Sequence, residues 1–425
     1  MKLTRISLLL LAATLISSDL AFAASKFAIP ATDEGLPGEG PIRRYGWFQN
    51  LWERKRTGWA KKVEQDQGAL VFLGDSITQG WGDNMGNSFP GIKVANRGIS
   101  GDTTRGVLIR MQGDVLALNP KGVVILIGTN DLEEKASPEI IAGNLKLIIA
   151  ELKKHNAKMP IILCNTFPSS ASKRRPADQI KKINQLYFAT VKGDPQITVL
   201  DTWLLFADAK GDAKKPEFPD LLHPNKLGYA KWASALRPLL ATHGFIETKS
   251  EDFTMESGFV SLFNGKDLTG WGFRSKKTFK QTAKFDEKKA SDDGRYRAIN
   301  GRLVVTTPPE GRRVQQLWTT KEFPKDFTLK LEFRATPNAD SGVFIRKPQL
   351  QCRDYILAGP WKDLKNYKPQ EWNEIVAVVK GGVAHCTCNG EVLNAEFKVP
   401  ATGPIGLEGD RGQMEYRRIR IKIAK

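Results

Sequence analysis

The sequence predicts a parallel α/β domain followed by an all-β domain, and two observations carry that prediction. In the first half, short apolar runs at residues 71–73, 123–127, 161–164 and 197–200 alternate with helix-like segments, the pattern of βαβ units around a buried parallel sheet. Beyond Gly258 the period drops to two: Phe327, Leu329, Leu331 and Phe333 alternate with Thr328, Lys330, Glu332 and Arg334, and Ile419, Ile421 and Ile423 alternate with Arg420 and Lys422. That alternation is the mark of half-buried antiparallel strands, read here as a β-sandwich. A chain of 425 residues also exceeds what one hydrophobic core organises.

Residues 1–23 carry Lys2 and Arg5, an apolar run from Ile6 to Ile16 and then Ala21-Phe22-Ala23, which reads as a secretory signal cleaved after Ala23. The apolar run is too short to span a bilayer. No cysteine precedes Cys164, so no N-terminal lipidation cysteine is at hand. The expectation is a periplasmic or secreted protein without an integral membrane segment. Residues 24–64 form a lead-in: a Pro/Gly-rich stretch, then an aromatic and charged segment with Trp47, Trp52 and Trp59 that fits a short helix laid against the domain. The α/β domain is assigned to residues 65–245, a polar linker to 246–257 and the β domain to 258–425. Within the first domain the strongest helix is 138–155, with Ser137 as N-cap, Pro138 at its first position and Ile141, Leu145, Ile148, Ile149 and Leu152 on one face. A second helix, 226–243, ends at Gly244 and contains Pro238, which is expected to kink it. In the β domain Asn389-Gly390 signals a tight hairpin.

The net charge is +18, but about two-thirds of the excess lies beyond Gly258 and is spread along that stretch rather than focused. Clusters such as Lys173-Arg174-Arg175 read as solvated loops, and no helix carries a basic stripe interleaved with aromatics, so nucleic acid is not the expected partner. Of the four cysteines, Cys164 reads as a buried small hydrophobe; Cys386 and Cys388 lie two apart on one strand face and pair poorly with each other, and one of them could bridge to Cys352. The usual ligand spacing of a structural metal site is absent from His385-Cys386-Thr387-Cys388.

The stretch Val71-Phe72-Leu73-Gly74-Asp75-Ser76 delivers a serine to the turn after an apolar strand, where parallel sheets present ligand-facing groups. Asp75 and Ser76 are also good helix caps, so the rest of the chain has to distinguish a cap from a nucleophile. Acyl transfer by a serine needs a base, an orienting carboxylate and donors for an oxyanion. Only four histidines are present: His155 and His243 fall at helix ends, His385 lies in the β domain, and His223 sits in the loop Pro219-Asp220-Leu221-Leu222-His223-Pro224 with a carboxylate three residues upstream. That loop can aim Asp220 at one imidazole nitrogen while the other faces Ser76. Two glycine- or asparagine-bearing loops, Asn96-Arg97-Gly98-Ile99-Ser100-Gly101-Asp102-Thr103 and Ile127-Gly128-Thr129-Asn130-Asp131, follow strands. With Ser76 they offer three oxyanion donors: the N–H of Ser76, the N–H of Gly98 and the amide of Asn130.

In this order Gly74-Asp75-Ser76, Gly98, Gly128-Thr129-Asn130-Asp131, and Asp220 with His223 resemble the four motif blocks of the SGNH (GDSL) hydrolases. Gly98-Ile99-Ser100-Gly101-Asp102-Thr103-Thr104-Arg105 is most similar to the platelet-activating-factor acetylhydrolase branch. The resemblance implies a flavodoxin-like α/β/α fold and hydrolysis of short acyl esters through a serine acyl-enzyme, without a metal or other cofactor. Ser76 would be the nucleophile, His223 the base and Asp220 its orienter.

Farther on, Phe259-Val260-Ser261-Leu262-Phe263-Asn264-Gly265-Lys266-Asp267-Leu268-Thr269-Gly270-Trp271 resembles the opening of the domain family named for 3-keto-disaccharide hydrolases. Ser341-Gly342-Val343-Phe344-Ile345-Arg346, Glu371-Trp372-Asn373-Glu374 and Gly403-Pro404-Ile405-Gly406-Leu407 are further echoes. This implies a concanavalin-like jelly roll of the kind attached to carbohydrate-active proteins. Residues 349–368 match less well and no catalytic residue is assigned there. Trp271, Trp318, Trp361 and Trp372 are candidates for stacking on sugar rings, with core packing the default for each; Asp340 and Arg346 are candidate ligand contacts. The expected substrate is an acylated carbohydrate or another small ester. Alternatives are a bifunctional chain whose β domain cleaves 3-keto-glycosides, and an esterase or lysophospholipase on lipid-like esters whose β domain only binds.

Overall fold

A computed structural model of the chain describes residues 26–246, 252–306, 315–353 and 359–424. The signal-like residues 1–23 and the middle of the linker lie outside the described residues. In the first part five parallel strands, β1 (Leu70–Gly74), β2 (Val94–Gly98), β3 (Gly122–Leu126), β4 (Ile161–Cys164) and β5 (Ile197–Leu200), form one sheet in the order β2-β1-β3-β4-β5. This is the flavodoxin-like order, which reverses direction between β1 and β3 and opens a crevice at the carboxyl ends of the central strands.

Because side chains alternate across a strand, each strand serves two cores. Val71, Leu73, Val123, Ile125, Ile161 and Leu163 pack under one helical layer with Val107, Leu145, Ile148 and Ile183. Leu70, Phe72, Val124, Leu126, Ile162 and Cys164 pack under the other with Trp232, Leu236 and Leu239. Burial on both faces explains why these strands are continuously apolar in sequence. Cys164 has no solvent exposure, and burial pushes its thiol up to about 12.

The helices are α1 (Gly46–Ala60), α2 (Ser76–Gly80), α3 (Thr104–Asp114), α4 (Thr129–Glu133), α5 (Pro138–His155), α6 (Ala177–Val191), α7 (Thr202–Phe206) and α8 (Lys226–Thr242). Helix α5 starts with the Ser137 hydroxyl accepting the Ile140 N–H at 3.3 Å and places Lys153, Lys154 and His155 in its last turn, where positive charge suits the helix dipole. Helix α8 contains Pro238, continues to Thr242 and is followed by Gly244 with φ +77°. The lead-in forms α1, which buries Phe48, Trp52, Arg56 and Trp59 on one face and joins Ile29, Ile42 and Ile99 in a small cluster of its own.

Strand β2 corrects one expectation. Asn96 and Gly98 belong to the strand, in register with Phe72 and Gly74, and not to the loop that follows it. Its polar Asn96 and Arg97 hide the strand from a hydrophobicity reading. Both are nonetheless buried, their hydrogen bonds supplied by the Thr78, Gly82 and Asp114 carbonyls and the Asp66 carboxylate.

The second part is a sandwich of two antiparallel sheets. One, of eight strands among the described residues, has Phe327–Ala335, Asn373–Lys380 and Gln413–Ile423 at its centre; the other, of six, includes Trp271–Arg274, Leu317–Thr319, Asp340–Ile345 and Ile405–Leu407. Phe327–Ala335 alternates buried and half-buried positions along its whole length, as its period of two predicts. Asn389 (φ 47°) and Gly390 (φ 83°) turn the chain between Val383–Cys388 and Glu391–Lys398, the two left-handed positions an Asn-Gly hairpin requires. Cys352, Cys386 and Cys388 are all buried free thiols, and no bridge joins Cys352 to either of the other two. The two parts touch where the Asn338 amide donates to Asp201 at 2.8 Å and the Gln413 amide to the Pro238 carbonyl at 3.2 Å. Among the described residues no helix is long and apolar enough to cross a membrane.

Leu145 has no exposed surface and lies where α5 meets the sheet. Leu145→Ala is expected to destabilise the α/β part by about 2–5 kcal/mol, read as an earlier urea midpoint at unchanged slope.

Candidate active site

The serine is presented by a turn that two glycines make possible. Strand β1 ends at Gly74, Asp75 takes the N-cap of α2 with its carboxylate accepting the Ile77 N–H at 2.9 Å, and Ser76 opens the helix. The capping duty expected of either residue therefore falls to Asp75, and the Ser76 hydroxyl is left for another partner. The adjoining end of β2 lies so close to this turn that a Cβ on Gly98 would stand 2.7 Å from the Asp75 carbonyl oxygen and closer still to the Gln79 nitrogen.

That partner is His223. Its Nε2 lies 3.0 Å from Ser76 Oγ and its Nδ1 lies 2.7 Å from Asp220 Oδ2. Asp220 accepts only, so Nδ1 carries the proton and Nε2 presents its lone pair to the serine hydroxyl, an assignment that follows from the network. The loop is organised by the same carboxylate: Asp220 Oδ1 also accepts the N–H groups of Leu222 (3.0 Å) and His223 (2.7 Å). Leu221 takes φ 62°, and its carbonyl is held by the Ser169 hydroxyl at 2.8 Å. Partial burial works to raise the Asp220 carboxyl, but the bonds from the His223 N–H, the imidazole and the Leu222 N–H outweigh it, and the pKa lies below its ordinary value. Of the other histidines, His155 ends α5, His243 caps α8 against the Thr198 hydroxyl, and His385 is exposed on the β part.

Gly98 and Asn130 flank this pair from the ends of β2 and β3. The Gly98 N–H donates to Asn96 Oδ1 at 2.9 Å, and the Asn130 amide donates to the Asp102 carbonyl at 3.0 Å. Asn130 Oδ1 in turn accepts from Arg175 Nη2 at 2.9 Å, which fixes the amide with its nitrogen away from the guanidinium. Arg175 corrects the reading of Lys173-Arg174-Arg175 as a solvated cluster: Arg174 is exposed, but Arg175 is buried and also bonds the Thr129 and Lys173 carbonyls and Glu133. Behind the turn Arg110, wholly buried, pairs with Asp102 at 2.8 Å and donates to the carbonyls of Gly74 (3.1 Å) and Arg97 (2.9 Å). Burial pushes the carboxyls of Asp75, Asp102 and Asp131 up to about 7, 6 and 6, against the bonds from Ile77, Arg110 and Thr104 respectively. Arg110 and Arg175 escaped the sequence reading because their partners are mostly carbonyls, which leave no mark in sequence.

The three candidates in the β part have other duties. Trp271 has no exposed surface, packs in the sandwich core and donates its indole N–H to the Leu262 carbonyl at 2.7 Å, so no ring face is open to a sugar. Arg346 is buried and spends its guanidinium on the carbonyls of Phe323, Lys325, Gly381 and Pro400. Asp340 is half-buried at a strand start, 3.4 Å from Arg353. Trp318 and Trp361 are buried as well, and Trp372 lies under the guanidinium groups of Arg334 and Arg417.

Gly98→Ala would drive a methyl group into the backbone of the Ser76 turn. The expected cost is about 1–3 kcal/mol of stability, read as a lowered melting temperature, together with loss of the Ser76–His223 geometry in a crystal structure.

The sequence model of the GDSL-like lipase/acylhydrolase family matches residues 72–231, and that of the 3-keto-alpha-glucoside-1,2-lyase-like domain matches residues 258–422. The chain is 29% identical over 174 residues to the platelet-activating factor acetylhydrolase IB subunit alpha1 of Pongo abelii, covering 40% of this chain and 74% of the relative. To subunit alpha2 of Bos taurus it is 26% identical over 216 residues, covering 50% and 89%. Among solved structures it is similar to a GDSL-like lipase from Bacteroides thetaiotaomicron (26% identity, TM-score 0.39, 45% of this chain and 97% of that one). It is also similar to the lipase/acylhydrolase from Enterococcus faecalis (23% identity, TM-score 0.34, 43% and 99%). The serine, histidine and aspartate converging at the carboxyl ends of a 2-1-3-4-5 sheet therefore sit in a carboxylic ester hydrolase domain of the GDSL-like lipase/acylhydrolase family, joined in one chain to a 3-keto-alpha-glucoside-1,2-lyase-like domain.

Proposed function

We propose that this chain is an exported serine esterase that removes acetyl or other short acyl groups from carbohydrate, with the β part holding or processing the sugar. The observation that carries the proposal is the imidazole of His223, bonded to Asp220 at 2.7 Å on one side and to Ser76 Oγ at 3.0 Å on the other. The sugar is inferred from the family of the β part, and export from residues 1–23.

Ser76 Oγ attacks the ester carbonyl carbon as His223 Nε2 takes its proton, and the carbonyl π electrons move onto oxygen. The resulting oxyanion is met by the Ser76 N–H, the Gly98 N–H and the Asn130 amide. For Gly98 this means turning or sharing the hydrogen that Asn96 Oδ1 now accepts. When the tetrahedral centre collapses, the C–O bond to the alcohol breaks and His223 returns the proton to the departing oxygen. Water then attacks the acyl-enzyme with His223 again as base, the acid leaves and Ser76 recovers its proton. Asp220 remains ionised throughout, fixing the tautomer and stabilising the transient imidazolium.

Ser76→Ala is expected to abolish hydrolysis of 4-nitrophenyl acetate with the melting temperature unchanged; retained turnover refutes the assignment. Asp220→Asn should slow kcat by orders of magnitude, since an amide can present its N–H to Nδ1 and reverse the tautomer. A wild-type rate would assign the orienting role elsewhere. Asn130→Ala should lower kcat by about 10²–10³ with little change in KM. The β part has a second reading as a 3-keto-glycoside-cleaving unit, favoured by its family match. The full chain carrying Ser76→Ala isolates it: cleavage of a 3-keto-glucoside by that variant would establish a second active centre, and its absence would leave a binding role.

A further inference from the structure

Nine of the ten tryptophans are buried or half-buried; Trp47 is 54% exposed, and Tyr45, two residues before it, is 51% exposed. The two rings lie nearly parallel, 6.5 Å apart at 11°. They are not loose surface groups. Trp47 packs edge-on against buried Phe48 at 5.6 Å, and its ring edge covers Gly101 so closely that a Cβ there would stand 2.7 Å from Trp47 Cη2. The Tyr45 hydroxyl donates to Glu134 at 3.1 Å, and Arg43 beside it is bonded to both Glu133 and Glu134.

These anchors place the pair against two particular segments. Gly101 lies three residues after Gly98, at most about 10 Å along the chain, in a loop tied to the Ser76 helix by the Ser100 N–H on Gln79 Oε1 at 2.9 Å. Glu134 lies four residues after Asn130 and caps the same short helix α4. Strands β2 and β3 flank β1, so Tyr45 and Trp47 bridge the segments that follow the two strands on either side of the one that delivers Ser76. An exposed aromatic pair kept at that rim, with Glu134, Arg43 and exposed Arg174 around it, is suited to a ligand that has both an apolar face and polar edges.

We propose that Tyr45 and Trp47 form a sugar-binding subsite of the esterase centre, on which a pyranose ring of the acylated carbohydrate stacks while Ser76 attacks its ester. The C–H face of the ring covers the indole, and its hydroxyls meet the charged rim. The rim groups already pair with one another, yet each carboxylate oxygen and guanidinium keeps capacity for a further hydrogen bond, which sugar hydroxyls can use and an acyl tail cannot. This rests on the carbohydrate-ester reading above.

The test compares Trp47→Ala with wild type on an acetylated xylo-oligosaccharide and on 4-nitrophenyl acetate, which has no sugar to stack. The expected result is a roughly tenfold or larger loss of kcat/KM on the oligosaccharide, carried by KM, with 4-nitrophenyl acetate turnover unchanged and Trp47→Phe restoring most of the loss. Equal losses on both substrates, or none on the oligosaccharide, overturn the subsite. A shift from dimer to monomer in Trp47→Ala, seen by sedimentation with no change in selectivity, likewise overturns it and makes the pair a contact between copies. Wild-type protein that cleaves 4-nitrophenyl acetate but no sugar acetate overturns the carbohydrate reading and the subsite with it. Sugar-acetate turnover that survives Trp47→Ala intact overturns the subsite alone.

Discussion

Everything at the mouth of the α/β part hangs on the guanidinium of Arg110. It sits without solvent exposure beneath the point where β1 and β2 end, and gathers the Gly74 carbonyl, the Arg97 carbonyl and the Asp102 carboxylate. A buried ion pair of this kind contributes little net stability because both charges lose their hydration, but it is costly to break and permits few alternative geometries. Here the geometry it enforces is the close approach of Gly98 to the Ser76 turn, which any side chain at Gly98 would prevent. Ser76 and two of the candidate oxyanion donors are thereby held by one cation that touches none of them.

Around that cation a second ring of contacts brings the N-terminal segment into the site. Arg105 bonds Asp33 and the carbonyls of Pro37 and Gly40, Thr103 donates to the Pro41 carbonyl, and Asn144 joins Glu39 to Thr104. Arg43 and Arg175 converge on Glu133, whose partial burial is outweighed by both guanidinium groups, bringing its pKa down to about 2. The lead-in is therefore part of the α/β unit rather than a tether, and it braces the segments after β2 and β3. Helix α1 contributes the wall on which an exposed aromatic pair can be kept in place.

Much of the site was legible in the amino-acid order because its chemistry restricts residue type and position together. In a serine–histidine–carboxylate arrangement the base is a histidine, and among four histidines only His223 has a carboxylate three residues away in a loop before a helix. Glycine at 98 was singled out as a loop glycine offering a backbone donor, whereas it closes strand β2 with its N–H on Asn96 Oδ1. What escaped was the support. Asn96 and Arg97 look like loop residues until their partners, the carbonyls at 78, 82 and 114 and the carboxylate of Asp66, are brought alongside. The β part misled in the opposite sense: Trp271 and Arg346 have the right chemistry for a sugar, but their rings and charges are consumed by the fold.

The sequence by itself determined the strands of the parallel sheet apart from β2, the antiparallel alternation beyond Gly258, and the serine, histidine and aspartate that meet. Those are properties of period and residue type, which survive without knowledge of neighbours. Only the tertiary structure decided that Trp52 is buried and Trp47 exposed, that Arg174 is solvated and Arg175 is not, and which acceptors hold the Gly98 and Asn130 donors. The physical reason is that burial and hydrogen-bond partnership are set by groups far apart in the chain, and a charged or aromatic side chain carries the same letters whether it faces water or a carbonyl in the core.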